Sequence, residues 1–162
     1  MANEFEQDFN FVNLTQVDPN YTAIDEGVYQ LKVIKLAVNK TKGDNGKEVK
    51  PYLAGTFSVS NHEKFSGRRL FHNFWSITDN NSFDAKALRR LADASGVPQE
   101  GDFLVWVDEM TTQQPEFKVQ VKKQAPTTWN KETKTREIKV GPDGNALPDE
   151  NVIDFRNVAI AG

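Results

Sequence analysis

The chain has 162 residues, a net charge of −3 and no cysteine, and its length suits one domain. The lack of cysteine excludes disulfides, thiolate zinc sites and cysteine nucleophiles. The N-terminus lacks the basic and apolar stretches of a signal peptide, and no apolar run approaches the roughly 20 residues of a membrane helix. We therefore expect a cytoplasmic protein with no membrane partner.

The charge is distributed unevenly along the chain. Residues 1–27 hold six acidic residues and no basic one, and residues 140–162 hold four acidic residues and Arg156. The intervening residues 28–139 hold 19 basic and 13 acidic residues, which gives this body a charge of +6. A basic body can attract a polyanion even though the whole chain is slightly acidic.

The first half of the chain shows the period-two alternation of β-strands. Strands are predicted at Val28–Ile34, Tyr52–Ser60 and Arg69–Ile77, because apolar and polar residues alternate in each. Residues 39–47 are rich in lysine, asparagine and glycine, which predicts a loop between the first two strands. Residues 1–26 are predicted to form an acidic N-terminal arm that carries Phe5, Phe9 and Phe11.

The period then changes to that of a helix. Asn80, Asn81 and Ser82 are candidate N-caps, apolar residues follow at helical spacing from Phe83 to Ala92, and Gly96 supplies the stop. Further strands are predicted at Phe103–Val107 and Phe117–Val121, separated by a turn at 111–115. The C-terminal extension, residues 124–162, is predicted to contain a hairpin with its tip at 130–132, a turn at 141–144 and an edge strand at Val152–Phe155.

This order of elements predicts an all-β domain with one helix over residues 27–123. Three strands, a helix and two strands form the element order of the OB-fold, a five-stranded Greek-key barrel with its helix between strands 3 and 4.

Several short segments follow one another in a recognisable order and spacing: Phe9-Asn10-Phe11, Asp18, Tyr21, Asp25–Tyr29, Thr41–Gly46, Ser66–Phe71 and Leu88–Gly96. Together they resemble a family of small bacteriophage proteins that are similar to single-stranded-DNA-binding proteins. The resemblance covers roughly residues 9–123 and implies an OB-type barrel, single-stranded DNA (ssDNA) as partner, and no catalytic centre. It also implies a place in phage DNA replication or recombination in the host cytoplasm, with phage or host proteins of those processes as further partners. The chain ends in Ala159-Ile160-Ala161-Gly162, unlike the acidic tails with apolar tips of bacterial ssDNA-binding proteins.

The loop between the first two strands is a candidate phosphate-binding element. Loops of this kind flank the binding face of OB-folds, and lysine charge needs little geometry to attract a phosphate. The alternative is a hairpin tip kept soluble by lysine. The candidate residues are Lys40, Lys42, Lys47 and Lys50.

Aromatic residues on the second and third strands are candidate stacking groups, because exposed rings bind the faces of unpaired bases. Phe57 is assigned to the core with its apolar neighbours. On the third strand, Phe71 and Trp75, together with Ile77, form the more apolar set and are predicted to face inward. His72 and Phe74 are then predicted to face a groove beside Tyr52.

Two further candidates are basic or lie among basic residues. Arg68 and Arg69 precede the aromatic third strand and could contact phosphates, whereas Arg89 and Arg90 are assigned to a solvated helix face. Trp129 lies in a polar, basic segment and is either a stacking finger or a cap on the barrel.

The sequence offers little for catalysis, so no enzyme activity, metal or cofactor is predicted. His62 and His72 are isolated, and the acidic residues are scattered rather than clustered as a metal-dependent nuclease requires. The main alternative to ssDNA binding is a protein-interaction module on the same fold. A homodimer through the Val152–Phe155 edge is a further hypothesis, and the acidic arm is expected either to compete with DNA or to pack on the barrel.

Overall fold

The computed structural model describes residues 11–16, 22–43, 46 and 48–161. Within them the protein is mostly β, as predicted, but it has two α-helices instead of one. A short 3₁₀ turn at Leu14–Gln16 precedes the first strand. The strands are β1 (Gly27–Lys40), β2 (Pro51–Ser60), β3 (Arg69–Phe74), β4 (Glu116–Gln124), β5 (Thr127–Asn130), β6 (Thr135–Ile138) and β7 (Glu150–Ile160), and the helices are α1 (Phe83–Ser95) and α2 (Phe103–Gln113).

Five strands form one antiparallel sheet in the order β3-β2-β1-β4-β7, and β5 pairs with β6 in a separate hairpin. β1 pairs with β2 along most of its length and with β4 along its first half, and a bulge between Val33 and Lys35 interrupts its register with β2. The two outer strands approach each other, because the Phe155 ring of β7 lies 5.1 Å from that of Phe74 on β3. The sheet is therefore curled, but the described strands do not pair into the closed barrel that the sequence predicts.

The core lies inside this curl. Alternate residues of β1, β2 and β4 point inward, and α1 covers the open side against β7 and β4. The predicted helix ends are confirmed at α1: Ser82 Oγ accepts from the Ala85 N–H at 3.0 Å, and Gly96 adopts a left-handed φ of 71°. None of the helices in the described part of the chain is long and apolar enough to cross a membrane.

The predicted fourth strand, Phe103–Val107, is wrong because this segment begins α2. A short apolar run does not by itself distinguish a strand from a helix, and here Trp106, Val107 and Met110 reach the core at helical spacing. α2 continues through most of the predicted turn and ends at Gln113, and the following residue, Gln114, caps it with a left-handed φ of 49°. Two successive helices therefore follow β3, in place of one helix followed by a strand.

The C-terminal extension supplies the fifth strand of the sheet. The predicted hairpin is confirmed as β5–β6, and Gly144 N–H donates to Gly141 O in the predicted turn. The predicted edge strand is also confirmed, but it is longer and pairs with β4 as β7. On the N-terminal side, Ile24 is buried and exchanges hydrogen bonds of 2.9 and 3.0 Å with the Asn151 side chain. Residues 22–26 thus pack on the domain, whereas Phe5 and Phe9 lie outside the described residues.

A buried carboxylate holds the irregular part of β7. The pairing of β4 with β7 skips from Val119–Val158 to Gln120–Asp154, which leaves residues 155–157 as a bulge. Asp154 accepts from Arg156 Nε at 2.9 Å and from the Arg156 backbone N–H at 3.1 Å, and it pairs with Lys122 Nζ at 3.0 Å. The bulge places Phe155 in the core, so this cluster positions a core ring.

We expect the Asp154 cluster to make the fold acid-sensitive. Hydrogen bonds from Arg156 hold the pKa of this carboxyl well below its usual range, despite the opposing effect of burial. Its stabilisation is therefore complete above the unfolded pKa of about 3.9 and is lost as the pH falls toward the folded value. Asp154→Asn should lower the free energy of unfolding by about 1–3 kcal/mol at neutral pH and flatten its dependence on acid.

Denaturant unfolding between neutral and strongly acidic pH measures this effect. Asp93→Asn is the matched control, since Asp93 forms an exposed pair with Arg89 and its loss should change stability by under about 1 kcal/mol. Equal pH profiles for the wild type and Asp154→Asn would contradict the role of the cluster.

Candidate nucleic-acid interface

The register of β2 and β3 decides which aromatic rings face solvent. Leu53 pairs with Phe74 and Phe57 pairs with Leu70, and all four of these side chains are buried. The residues at the alternate positions, such as Phe71 and Asn73 on β3, therefore point to the outer face of the sheet. Phe71 is 67% exposed, and Trp75, directly beyond the end of β3, is 57% exposed.

The predicted faces of the third strand are thus reversed. Phe74 is fully buried against Phe155, so it is not a stacking group. His72 also points inward, where its ring contacts Phe155 at 4.9 Å, and burial lowers its pKa although Asp84 acts in the opposite direction. The prediction adds Ile77 to the Phe71 face, but β3 ends at Phe74, so Ile77 does not belong to the strand.

The outer face instead carries an aromatic platform of Tyr52, Phe71 and Trp75. The rings of Tyr52 and Trp75 lie 4.7 Å apart at 34°, so they form one broad apolar surface. Phe71 pairs with Thr56, and Asn73 on the same face pairs with Ala54. The small Thr56 partner on β2 is consistent with the high exposure of the Phe71 ring. The prediction for Tyr52 agrees with this outward position, whereas the prediction that Phe71 and Trp75 face inward is wrong.

Basic side chains share the outer face with the platform. Ser58 pairs with Lys32 on one side and with Arg69 on the other, which sets a lysine and an arginine in one row across three strands. In the next row, Thr56 lies between Lys35 and Phe71. Arg69 lies beside the aromatic strand as predicted, whereas Lys32 and Lys35 are not among the residues predicted for this face. Their outward position follows from the alternation with Leu31, Val33 and Leu36, once the bulge in β1 is known.

The loop between β1 and β2 lies at the platform end of this face. Lys40 is exposed and pairs with Pro51, next to the pairing of Asn39 with Tyr52. Thr41 closes the loop by donating its N–H to Lys50 O at 2.8 Å. Lys42 and Lys50, together with Glu48, line a small open cavity there. Lys47 lies outside the described residues.

Arg68 and Arg69 have different environments, although they are neighbours in sequence. Arg69 is exposed and shares the outer face with the platform. Arg68 donates a hydrogen bond from Nη2 to Thr22 O and so holds the N-terminal segment against the domain. The structure therefore gives Arg68 a structural contact and leaves Arg69 as the better phosphate candidate.

Trp129 lies on the β5–β6 hairpin rather than on the five-stranded sheet. It is 53% exposed and pairs with Arg136. The hairpin follows the end of β4, and this end of β4 pairs with the beginning of β1 through Gly27 and Val121. The β1–β2 loop lies at the opposite end of β1. The outer face of β2 and β3 is thus flanked by the lysine loop at one end and by the hairpin connection at the other.

The outer face combines exposed aromatic rings with basic side chains. In the part of the chain that the structure describes, no three histidine, aspartate or glutamate side chains come together as a metal site. Rings, lysines and an arginine on an open sheet can contact bases and phosphates without reacting with them. Neither a family model nor a curated protein matches this sequence.

Proposed function

We propose that this protein binds single-stranded DNA without sequence specificity, on the outer face of β1, β2 and β3. The observation that carries the proposal is the aromatic platform, in which Phe71 and Trp75 are exposed on the same sheet face as Lys32, Lys35 and Arg69. Rings that stand free can stack on unpaired bases, whereas bases in a duplex are already stacked on each other. We include a role in phage DNA replication or recombination, and for this role the family resemblance is the support.

The fold that we propose is a partly open OB-type barrel with β7 as its fifth strand. Support comes from the long bulged β1 shared by β2 and β4, from the antiparallel sequence β1-β2-β3, and from the contact of β3 with β7 through Phe74 and Phe155. OB-folds bind oligonucleotides on the face of strands 2 and 3, between the loops that follow strands 1 and 4. The platform occupies that face here, and the β5–β6 hairpin lies in the second of those loops.

The electrostatic part of the interaction should make binding strongly salt-dependent. Three to five phosphate contacts by Lys32, Lys35, Arg69 and the loop lysines would give a log–log salt slope of about −2 to −4, at roughly −0.7 per contact. A fluorescent dT oligonucleotide titrated at several salt concentrations measures the slope. Substituting Lys35→Gln should reduce the magnitude of the salt slope by roughly 0.7, the value for one phosphate contact. Lys86→Gln on α1 is the control and should leave the slope unchanged.

The same titration distinguishes ssDNA binding from the alternative function, a protein-interaction module that does not bind nucleic acid. Homopolymers of the four bases should bind with similar affinity, and a duplex of equal length should bind more weakly. A flat salt response, or a preference for the duplex, would contradict the proposed function.

A further inference from the structure

Helix α2 leaves two large apolar side chains on the protein surface. Leu104 is 60% exposed and Val105 is 50% exposed, while Trp106, Val107 and Met110 on the other side of the helix are buried. The core therefore uses only part of the apolar run that begins this helix. Exposed apolar side chains that are adjacent on a helix are typical of an interface.

The surroundings of these two residues are acidic. Residues 98–114 carry four acidic residues and no basic one. Asp108 lies one turn after Leu104, so it shares the exposed side of the helix. A complementary partner must therefore be both apolar and basic, and two α2 helices facing each other would bring like charges together. The acidic residues are Glu100, Asp102, Asp108 and Glu109.

The β5–β6 hairpin of the same chain has the complementary chemistry. Trp129 pairs with Arg136 and Thr127 pairs with Ile138, so these four side chains share one face of the hairpin. Trp129 and Ile138 are both more than half exposed. Residues 127–140 carry four basic and two acidic residues, which gives the hairpin a net charge of +2.

We propose that the exposed face of α2 in one copy of this protein binds the Trp129 face of the hairpin in a second copy. Within one chain the two surfaces belong to different parts of the fold. Gln114, directly after α2, donates from Nε2 to Ile34 O in the middle of β1 at 3.1 Å, whereas the hairpin follows the end of β4. One copy can thus offer both surfaces at once. This use of Trp129 is an alternative to its predicted stacking role.

A contact between two different surfaces is head-to-tail, so it can repeat from copy to copy and form an open row of molecules instead of a closed dimer. A row of copies along one strand would bind a long ssDNA cooperatively, and this consequence rests on the proposed function. The self-association itself needs no DNA.

Sedimentation velocity of the full chain without DNA, over a range of concentrations, tests the contact. The wild type should self-associate, and Leu104→Gln should weaken the association at least about tenfold, as for the loss of a central apolar anchor. Phe83→Gln is the matched control, because Phe83 on α1 is exposed to nearly the same extent, 59%, and should have no effect.

Charge reversal identifies the two surfaces. Asp108→Lys and Arg136→Glu should each weaken self-association, and an equimolar mixture of the two variants should associate again, because each retains one native surface. A wild type that sediments as a monomer at every concentration would overturn the proposal. So would association that survives Leu104→Gln and both charge reversals, since another surface would then be responsible.

Titration with DNA separates this proposal from the proposed function. Leu104→Gln should bind a short dT oligonucleotide, long enough for one copy only, as tightly as the wild type does, but it should bind long dT less cooperatively. Failure of the wild type to bind short dT while it still self-associates would contradict the proposed function and leave the contact between copies standing.

Discussion

Replacing Trp75 with alanine is expected to weaken binding of a dT oligonucleotide by about 1–3 kcal/mol, or roughly five- to 150-fold, while the fold stays intact. The side chain is more than half exposed, and its described ring contact is with Tyr52 at 4.7 Å. Its removal therefore takes away a stacking surface without opening a cavity. Fluorescence anisotropy gives the affinity, and circular dichroism checks the fold.

The geometry of the platform predicts how its three rings combine. Tyr52 and Trp75 are in ring contact, so the losses from Tyr52→Ala and Trp75→Ala should not be additive. Phe71 lies four residues from Trp75, about 13 Å along an extended chain, so the effects of Phe71→Ala and Trp75→Ala should add. Phe83→Ala, on α1, is the control for loss of an exposed ring. If all of these variants bound dT as tightly as the wild type, the DNA site could not be on this face.

The main elements were accessible from the sequence because their patterns are local. Alternation located β1, β2 and β4, and the Ser82 cap with the Gly96 stop located α1. The segment from Phe103 to Val107 was misassigned because it contains more apolar residues than the core uses. Leu104 and Val105 are apolar but exposed, so the apolar residues of this segment do not show helical spacing. Only the packing of α2 against β1 shows which of them face the core.

The sequence predicts only some of the side chains on the outer face. The crowding of aromatic side chains on the second and third strands pointed to this part of the sheet, and Tyr52 and Arg69 lie on its outer face, but Phe74 and His72 do not. A strand with apolar residues on both sides does not reveal which side is buried, and here the decision depends on the pairing of Phe57 with Leu70. The contributions of Lys32 and Lys35 also depend on a bulge, and a bulge leaves little trace in a single sequence.

Substituting Phe74 with alanine is expected to lower the free energy of unfolding by about 3–5 kcal/mol, and Phe57→Ala should have an effect of the same size. Both side chains are fully buried. Phe74 contacts the rings of His72 at 4.6 Å and Phe155 at 5.1 Å, so its loss would open a cavity where β3 meets β7. Denaturant unfolding followed by tryptophan fluorescence measures the change.

The neighbouring position supplies the decisive comparison. Trp75 is adjacent to Phe74 in sequence but lies on the opposite side of the sheet, so Trp75→Ala should lower stability by under about 1 kcal/mol while it weakens DNA binding. Phe74→Ala should do the reverse: the protein that remains folded should bind dT almost normally, because the platform is unchanged. If Trp75→Ala unfolds the domain and Phe74→Ala only weakens binding, then β3 is turned over relative to this structure and the platform consists of other rings. Stability and affinity measured on this one pair of variants thus test the register of β3 and the position of the DNA face together.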